Sequence, residues 1–232
     1  CSVATSAPTF YTFGGMNSPG PSTNEYLTTT MKWDGSSWTA GPAMAQDCNN
    51  AAAAGTPTAI VTAGGNDPSP NDDNMQLYDG SSWTNSPVNL PVATGGMGGV
   101  GTQTAALFFG GYPPSEPAGT KASNEWDGSA ITAGGNMNLA LLNCSGSGTQ
   151  TAALSYGGRL AGSKQAMGMV YDGTAWATSP NLANARDSIG RGPMGSTTNA
   201  FATTGSGPGG QSLVEEFTGE TSAVNYKTIT TS

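Results

Sequence analysis

The sequence predicts an all-β fold, a β-propeller of five four-stranded blades, on three observations. The string Gly-Thr-Gln-Thr-Ala-Ala-Leu occurs at Gly101 to Leu107 and again, 47 residues later, at Gly148 to Leu154. Glycine pairs close apolar runs at Gly14-Gly15, Gly64-Gly65, Gly110-Gly111 and Gly157-Gly158, with a worn fifth at Thr204-Gly205. An aromatic-Asp-Gly motif keeps the same beat, with aspartates at Asp34, Asp79, Asp127 and Asp172 and a degenerate copy at Phe217-Thr-Gly-Glu220. A period of roughly 20 to 50 residues decides architecture, because one such unit cannot bury its hydrophobic face alone and must stack on its neighbours.

Each repeat reads as four strands. The first is rich in small residues (Asn50 to Gly55, Met97 to Gly101), and the second is apolar and ends in the glycine pair. A variable loop rich in Pro, Ser and Asn leads to a third strand ending in aromatic-Asp-Gly, and a fourth strand carries Trp38, Trp83 or Trp176, with Ile131 in the third repeat. Asp-Gly between two such runs signals a hairpin, since glycine takes the positive φ of a tight turn. Paired glycines at a strand end let neighbouring backbones approach where a Cβ would clash. The repeats fall at about 1–42, 43–89, 90–135, 136–181 and 182–232, one domain over 1–232.

The order apolar run, Gly-Gly, variable loop, Tyr-Asp, turn, Trp resembles the kelch repeat over essentially the whole chain. The wording of the repeats, with Glu215-Glu-Phe-Thr-Gly219 and Lys227-Thr-Ile-Thr-Thr-Ser232 near the end, also looks like kelch-like repeat proteins of marine phages and aquatic metagenomes. That second resemblance implies a place on a virus particle more than an activity. The Asp-Gly-Ser-Ser-Trp hairpins further resemble the Asp-box of sialidases, a structural motif there, which implies that Trp38, Trp83 and Trp176 fill the space between blades.

Composition narrows the function. Charged residues are 9% of the chain against a typical quarter, and the net charge of −8 includes only seven scattered basic residues. No surface can then neutralise a row of phosphates, so nucleic acid is not an expected partner. Apolar runs such as Thr104 to Phe109 stop at glycine, far short of the roughly 20 residues of a spanning helix. The chain begins at Cys1 rather than methionine, which suggests that the start of the gene product is missing or removed.

The absence of histidine removes the copper ligands of kelch-fold oxidases, histidine triads and histidine zinc sites. Arg159, Arg186 and Arg191 lie in or beside one repeat and are poorly placed to converge on a central carboxylate as in a sialidase. Glu215 and Glu216 are adjacent on a strand and should point to opposite faces. No enzyme, metal or cofactor is expected. Of the three cysteines, Cys1 and Cys144 hold equivalent places in non-neighbouring repeats, so buried free thiols are expected. Lipidation of Cys1 is the alternative, against which stands the strand that begins there.

The expected function is a non-enzymatic extracellular or virion-surface module that recognises a glycan or cell-surface partner through its variable loops. The alternatives are a structural subunit of a fibre, filament or capsid, and a secreted carbohydrate-active enzyme. The loop after the second strand and the connection between blades open on one face, and the Gly-Thr-Gln and Asp-Gly turns on the other. Only the first varies, in Met16 to Lys32, Asn66 to Leu77, Tyr112 to Glu125, Arg159 to Val170 and Ser206 to Glu216. Loops on a rigid scaffold are where recognition resides. Within them Tyr26 and Tyr112 suit stacking on a sugar ring, and Asp72, Asp73 and Arg159 suit charged hydrogen bonds. The stretch Asn66 to Asn74 offers several oxygen ligands, but its spacing fits no familiar calcium loop and it reads as a solvated acidic loop.

Overall fold

The computed structural model describes residues 2–4, 9–20, 23–66, 72–190, 195–207, 213–219 and 226–229. Among them every regular element is a β-strand, and no helix is long and apolar enough to cross a membrane. Strands β1 (Ser2–Ala4) and β2 (Phe10–Phe13) are followed by a separate hairpin, β3 (Met16–Gly20) and β4 (Thr23–Tyr26), and then by β5 (Thr30–Trp33) and β6 (Trp38–Ala40). The first sheet runs β1-β2-β5-β6. The second is built from β7 (Ala52–Thr56), β8 (Ala59–Gly65), β9 (Asp72–Tyr78) and β10 (Trp83–Asn85), and the third from β11 (Gly98–Thr102), β12 (Ala105–Phe109), β13 (Ser123–Trp126) and β14 (Ile131–Ala133). The fourth uses β15 (Ser145–Thr149) and β16 (Ala152–Tyr156), is interrupted by a hairpin of β17 (Arg159–Leu160) and β18 (Ser163–Lys164), and ends with β19 (Gly168–Tyr171) and β20 (Trp176–Ser179). In the fifth, β21 (Ala200–Thr203), β22 (Val214–Phe217) and β23 (Tyr226–Ile229) pair in order. Every pairing is antiparallel between strands consecutive within their sheet, so each sheet is a local meander.

The first strands of successive sheets lie side by side, β1 against β7, β7 against β11 and β11 against β15. That crowding explains their composition. A Cβ on Gly99 would sit 2.7 Å from the Ala53 carbonyl oxygen, closer than packed atoms allow. Between successive sheets lie four hydrophobic cores. Tyr11 and Phe13 of the first sheet pack with Ile60, Tyr78 and Trp83 of the second, and Val61 and Ala63 with Ala106, Phe108 and Trp126 of the third. Leu107 and Phe109 meet Ala153, Tyr171 and Trp176 of the fourth, and Leu154 and Tyr156 meet Ala200, Ala202 and Phe217 of the fifth. Each internal sheet is thus covered on both faces, as strict alternation of side chains requires.

The glycine pairs and glutamines of the repeat join one sheet to the next. The second glycine of each pair donates its N–H to a carbonyl in the following repeat, Gly15 to Cys48 at 2.7 Å, Gly65 to Thr94 at 3.0 Å, Gly111 to Leu141 at 2.7 Å and Gly158 to Arg186 at 2.9 Å. The first glycine of each pair sits at φ between 60° and 66°, and a Cβ there would run into that same carbonyl oxygen. On the opposite face Gln103 donates to the Ile60 and Tyr78 carbonyls, and Gln150 to those of Ala106 and Trp126. The verbatim Gly-Thr-Gln string therefore carries a lateral joint back to the preceding sheet.

One expectation fails. Trp83 and Trp176 are 7% and 6% exposed and fill inter-sheet space, stacked on Phe13 and Tyr78 and on Phe109 and Tyr171. Trp38 is 48% exposed and packs its ring against Phe10 and Trp33 of its own sheet. The reason is position: the face of the first sheet that carries Trp38 points away from the second. Truncating a buried Trp costs about 3 to 5 kcal/mol, so Trp83→Ala should lower the denaturant midpoint strongly and Trp38→Ala only slightly; equal losses in parallel urea titrations would contradict the burial difference. Gly110→Ala, at φ 64° against the Leu141 carbonyl, should lose more than about 1 kcal/mol in the same assay.

Candidate ligand-binding face

The face carrying the variable loops is organised by one recurring device. The residue after each glycine pair forms an antiparallel bridge to the segment preceding its sheet's first strand, as Asn49 with Asn66, Gly95 with Tyr112, Leu142 with Arg159, and Asp187 with Ser206. The chain then turns through a left-handed residue, Asn50, Gly96, Asn143 or Ser188, at φ between 53° and 66°. Asn66, Tyr112, Arg159 and Ser206 therefore occupy one backbone position in four repeats, and Met16 follows Gly15 at the same place in the first. Tyr112 and Arg159, singled out from sequence for different reasons, are equivalents. The backbone is held constant at this position and the side chain is not.

These side chains are tied laterally. The Tyr112 hydroxyl accepts from Asn50 Nδ2 at 2.8 Å and donates to Asn66 Oδ1 at 2.9 Å, so this ring clasps the second repeat to the third. Arg159 Nη2 pairs with Asp187 Oδ2 at 2.8 Å, the arginine side chain 38% exposed and the aspartate side chain buried. Lys164, opposite Arg159 in its hairpin, donates to Ser206 Oγ at 2.7 Å.

The remaining sequence candidates are placed differently from expectation. Asp72 and Asp73 are not loop residues but begin β9, where Gly65 pairs with Asp72. Asp72 accepts from the N–H and the side-chain amide of Asn74, and Asp73 from Asn89 Nδ2. Their strand placement follows from the Thr94 and Leu90 N–H groups, which donate to their carbonyls. Residues 67–71 of the acidic stretch lie outside the described residues, and among the described residues no group of three acidic, Cys or His side chains could hold a metal. Tyr26 is half-buried on β4 opposite Met16, so the segment read as an irregular loop is a hairpin. The five residues do not converge on one site.

What does form a concavity is a cleft of about 160 Å³ within the third repeat, between the segment that leads to its first strand and the loop after its second, lined by Pro91, Val92, Pro113, Glu116, Thr120 and Asn124 among others. Its loop is rigid: Glu116 and Gly119 donate their N–H groups to the Pro113 and Glu116 carbonyls, and Thr120 donates to Gly111. Val92 is 54% exposed on its rim. None of the five sequence candidates lines it. Pro91-Val92 and Pro113-Pro114, apolar residues in connecting segments, were the available signal.

Two buried features are structural. Arg186 Nη2 pairs with Glu215 Oε1 at 2.6 Å and Nη1 donates to the Thr204 and Leu213 carbonyls, while Glu215 Oε2 accepts from the Ala183 N–H. This guanidinium is therefore committed inside the fold. Glu215 is buried and Glu216 faces the other way. Cys48 and Cys144 are buried thiols, and burial pushes the Cys48 thiol up to about 11; Cys1 lies outside the described residues.

On the opposite face each Asp-Gly hairpin is closed by its aspartate. Asp34, Asp79, Asp127 and Asp172 each accept two backbone N–H bonds, for example from Ser81 and Ser82 to Asp79 Oδ1 at 2.8 Å. Those N–H groups, with the neighbouring hydroxyls, hold all four carboxyls below their ordinary range, Asp79 at about 2.

No family model matches the chain, and no curated protein matches it. Among solved structures, one titled "Structure of YjhT" superposes with a TM-score of 0.76 at 12% identity, over 97% of this chain and 82% of that one. At that identity the likeness concerns the fold alone.

The hairpin carboxylates have a pH signature. A carboxyl whose folded pKa is depressed stabilises fully above its unfolded value near 4, and that contribution is lost as pH falls toward its folded value. The melting temperature should therefore drop between about pH 4 and pH 2, and Asp79→Asn should show a shallower drop than wild type over that window. Identical slopes would mean that the turn bonds do not favour the ionised form.

Proposed function

We propose that the five sheets are kelch-like blades of a five-bladed β-propeller, and that the chain is a non-enzymatic binding module of an extracellular or virion surface, associated with a phage tail fibre or similar appendage. It recognises a glycan or cell-surface receptor through the variable-loop face. The observation that carries this reading is the fixed backbone with a changing side chain at Asn66, Tyr112, Arg159 and Ser206, beside a rigid cleft with an apolar rim. Small-molecule sites favour such concavities, mostly apolar with a few placed polar groups. Prolines and Val92 offer contact to the apolar face of a sugar ring, and Glu116, Thr120 and Asn124 offer hydrogen-bonding groups.

A second reading, a structural subunit of a fibre, filament or capsid, is favoured by a different observation: large apolar side chains stand exposed at both ends of the stack, Trp38 and Phe201 among them.

The first reading is tested on a glycan array and by attachment to intact cells. Val92→Asp and Glu116→Lys should each weaken binding about tenfold or more, as loss of roughly 1.4 kcal/mol would, while Thr58→Ala on the opposite face should leave it intact. Binding that survives both cleft variants and fails with the turn variant would put recognition on the other face, and no binding to any glycan or cell would sink the reading.

A further inference from the structure

The cleft of the third repeat discriminates between ligands by its chemistry. Its apolar wall is Pro91, Val92 and Pro113, and its polar groups include Thr120, Asn124 and Glu116. Proline orders at no cost in side-chain entropy. The loop carrying Pro113 and Glu116 is already fixed by the Glu116 N–H to the Pro113 carbonyl and the Gly119 N–H to the Glu116 carbonyl, both at 2.9 Å. A flat ligand can therefore lie on this wall without first ordering it. Thr120 Oγ1 accepts from the Ala122 N–H at 3.3 Å, which leaves the hydroxyl proton to donate outward. Asn124 is half-buried and Glu116 exposed, and among the described residues neither side chain has a hydrogen-bond or ion-pair partner within the chain. Two polar side chains thus face the cleft with their bonding capacity unused.

Charge then selects among sugars. No basic residue lines the cleft; Lys121, which follows Thr120, is exposed outside its walls, and the chain carries a net charge of −8. An anionic ligand would bring its charge toward Glu116 with no cation to receive it. A cation there completes the hydrogen bonding of the carboxylate, and such charge-assisted bonds are about twice as strong as neutral ones. The volume of about 160 Å³ is below the roughly 300 Å³ at which sites for drug-sized ligands begin, so the cleft accepts a single ring. We infer that it takes a sugar ring bearing a free ammonium group, the apolar face of the ring on the wall of Pro91, Val92 and Pro113, the ammonium donating to Glu116, and ring hydroxyls meeting Asn124 and Thr120. The inference rests on the glycan-binding reading of this cleft and gives it a ligand class, an amino sugar in preference to neutral or acidic ones. A lysine side chain of a partner protein carries the same charge on a flexible stem, and it loses on binding rotamer freedom that a ring does not have.

The test is a titration of the chain, followed by ligand-detected NMR, with the methyl glycosides of glucosamine, glucose, N-acetylglucosamine and glucuronic acid. Glucosamine should bind about threefold to fivefold more tightly than glucose, as one exposed charge pair supplies, with N-acetylglucosamine close to glucose and glucuronic acid weakest. The preference should shrink as salt is raised from about 0.01 M to about 1 M. Glu116→Gln keeps the size of the side chain and removes its charge, so it should bind glucosamine and glucose alike, with the affinity for glucose unchanged. Equal binding of glucosamine and glucose by wild type, tighter binding of glucuronic acid, or a preference that persists in Glu116→Gln or at high salt would each overturn the inference. So would a lysine peptide that binds through Glu116 where glucosamine does not. Sugars bound without regard to charge would overturn this inference alone and leave glycan binding standing. Failure of all four to bind overturns it as well, and only a blank glycan array beside that failure removes the glycan reading too.

Discussion

The structure depends on how closely one sheet can approach the next at its loop end. That approach is set by one backbone hydrogen bond that recurs at all four junctions, from the second glycine of a pair to a carbonyl of the following repeat, and it exists only because the first glycine has no Cβ to obstruct the same carbonyl. With backbones held at that distance, aromatic and branched side chains from two sheets interleave into one core per junction, and the small-residue first strands fit beside one another. A net backbone hydrogen bond is worth only about 1 kcal/mol; its weight here is geometric, because it fixes the spacing over which several kcal/mol of apolar burial per large side chain is realised.

The same joint shapes the outer face. By fixing the backbone at the bridge after the second strand in four repeats, it presents one side chain per repeat in an equivalent frame, which is asparagine, tyrosine, arginine or serine. Side chains there reach along the face to the neighbouring repeat, as Tyr112 does to Asn50 and Asn66. Variation is thus confined to a surface whose geometry does not vary, the arrangement expected where recognition is separated from folding. The opposite face is conservative for a chemical reason: each aspartate must accept two N–H groups of its own turn, and the glutamines of the third and fourth repeats must reach the carbonyls of the preceding sheet.

The ends of the stack follow from the logic of repeats. Each unit carries one face shaped for the unit before it and one for the unit after, so the outer faces of the first and fifth sheets carry the side-chain types of a junction. Repeat proteins commonly blunt such ends with polar substitutions. Here the first sheet keeps Trp38, Trp33 and Phe10 and the fifth keeps Phe201, while Thr204 removes the clasp.

By itself the sequence determined the period, the strand order within a repeat, the Asp-Gly turns and the places where backbones touch, because these are local: a glycine pair or an Asp-Gly-Ser-Ser string states its conformational requirement in adjacent residues. It also marked Tyr112 as an aromatic outside the pattern and Arg159 as a charged group of a variable loop. Only the tertiary structure decided that those two share one position, that Asp72 and Asp73 belong to a strand, that Pro91 and Val92 meet Pro113 and Glu116 across a cleft, and that Arg186 is neutralised by Glu215 inside the fold. It alone separated Trp38 from Trp83, residues in identical six-residue contexts apart from the leading aromatic. Burial depends on which sheet lies opposite, and no residue within the repeat encodes whether a neighbour is there.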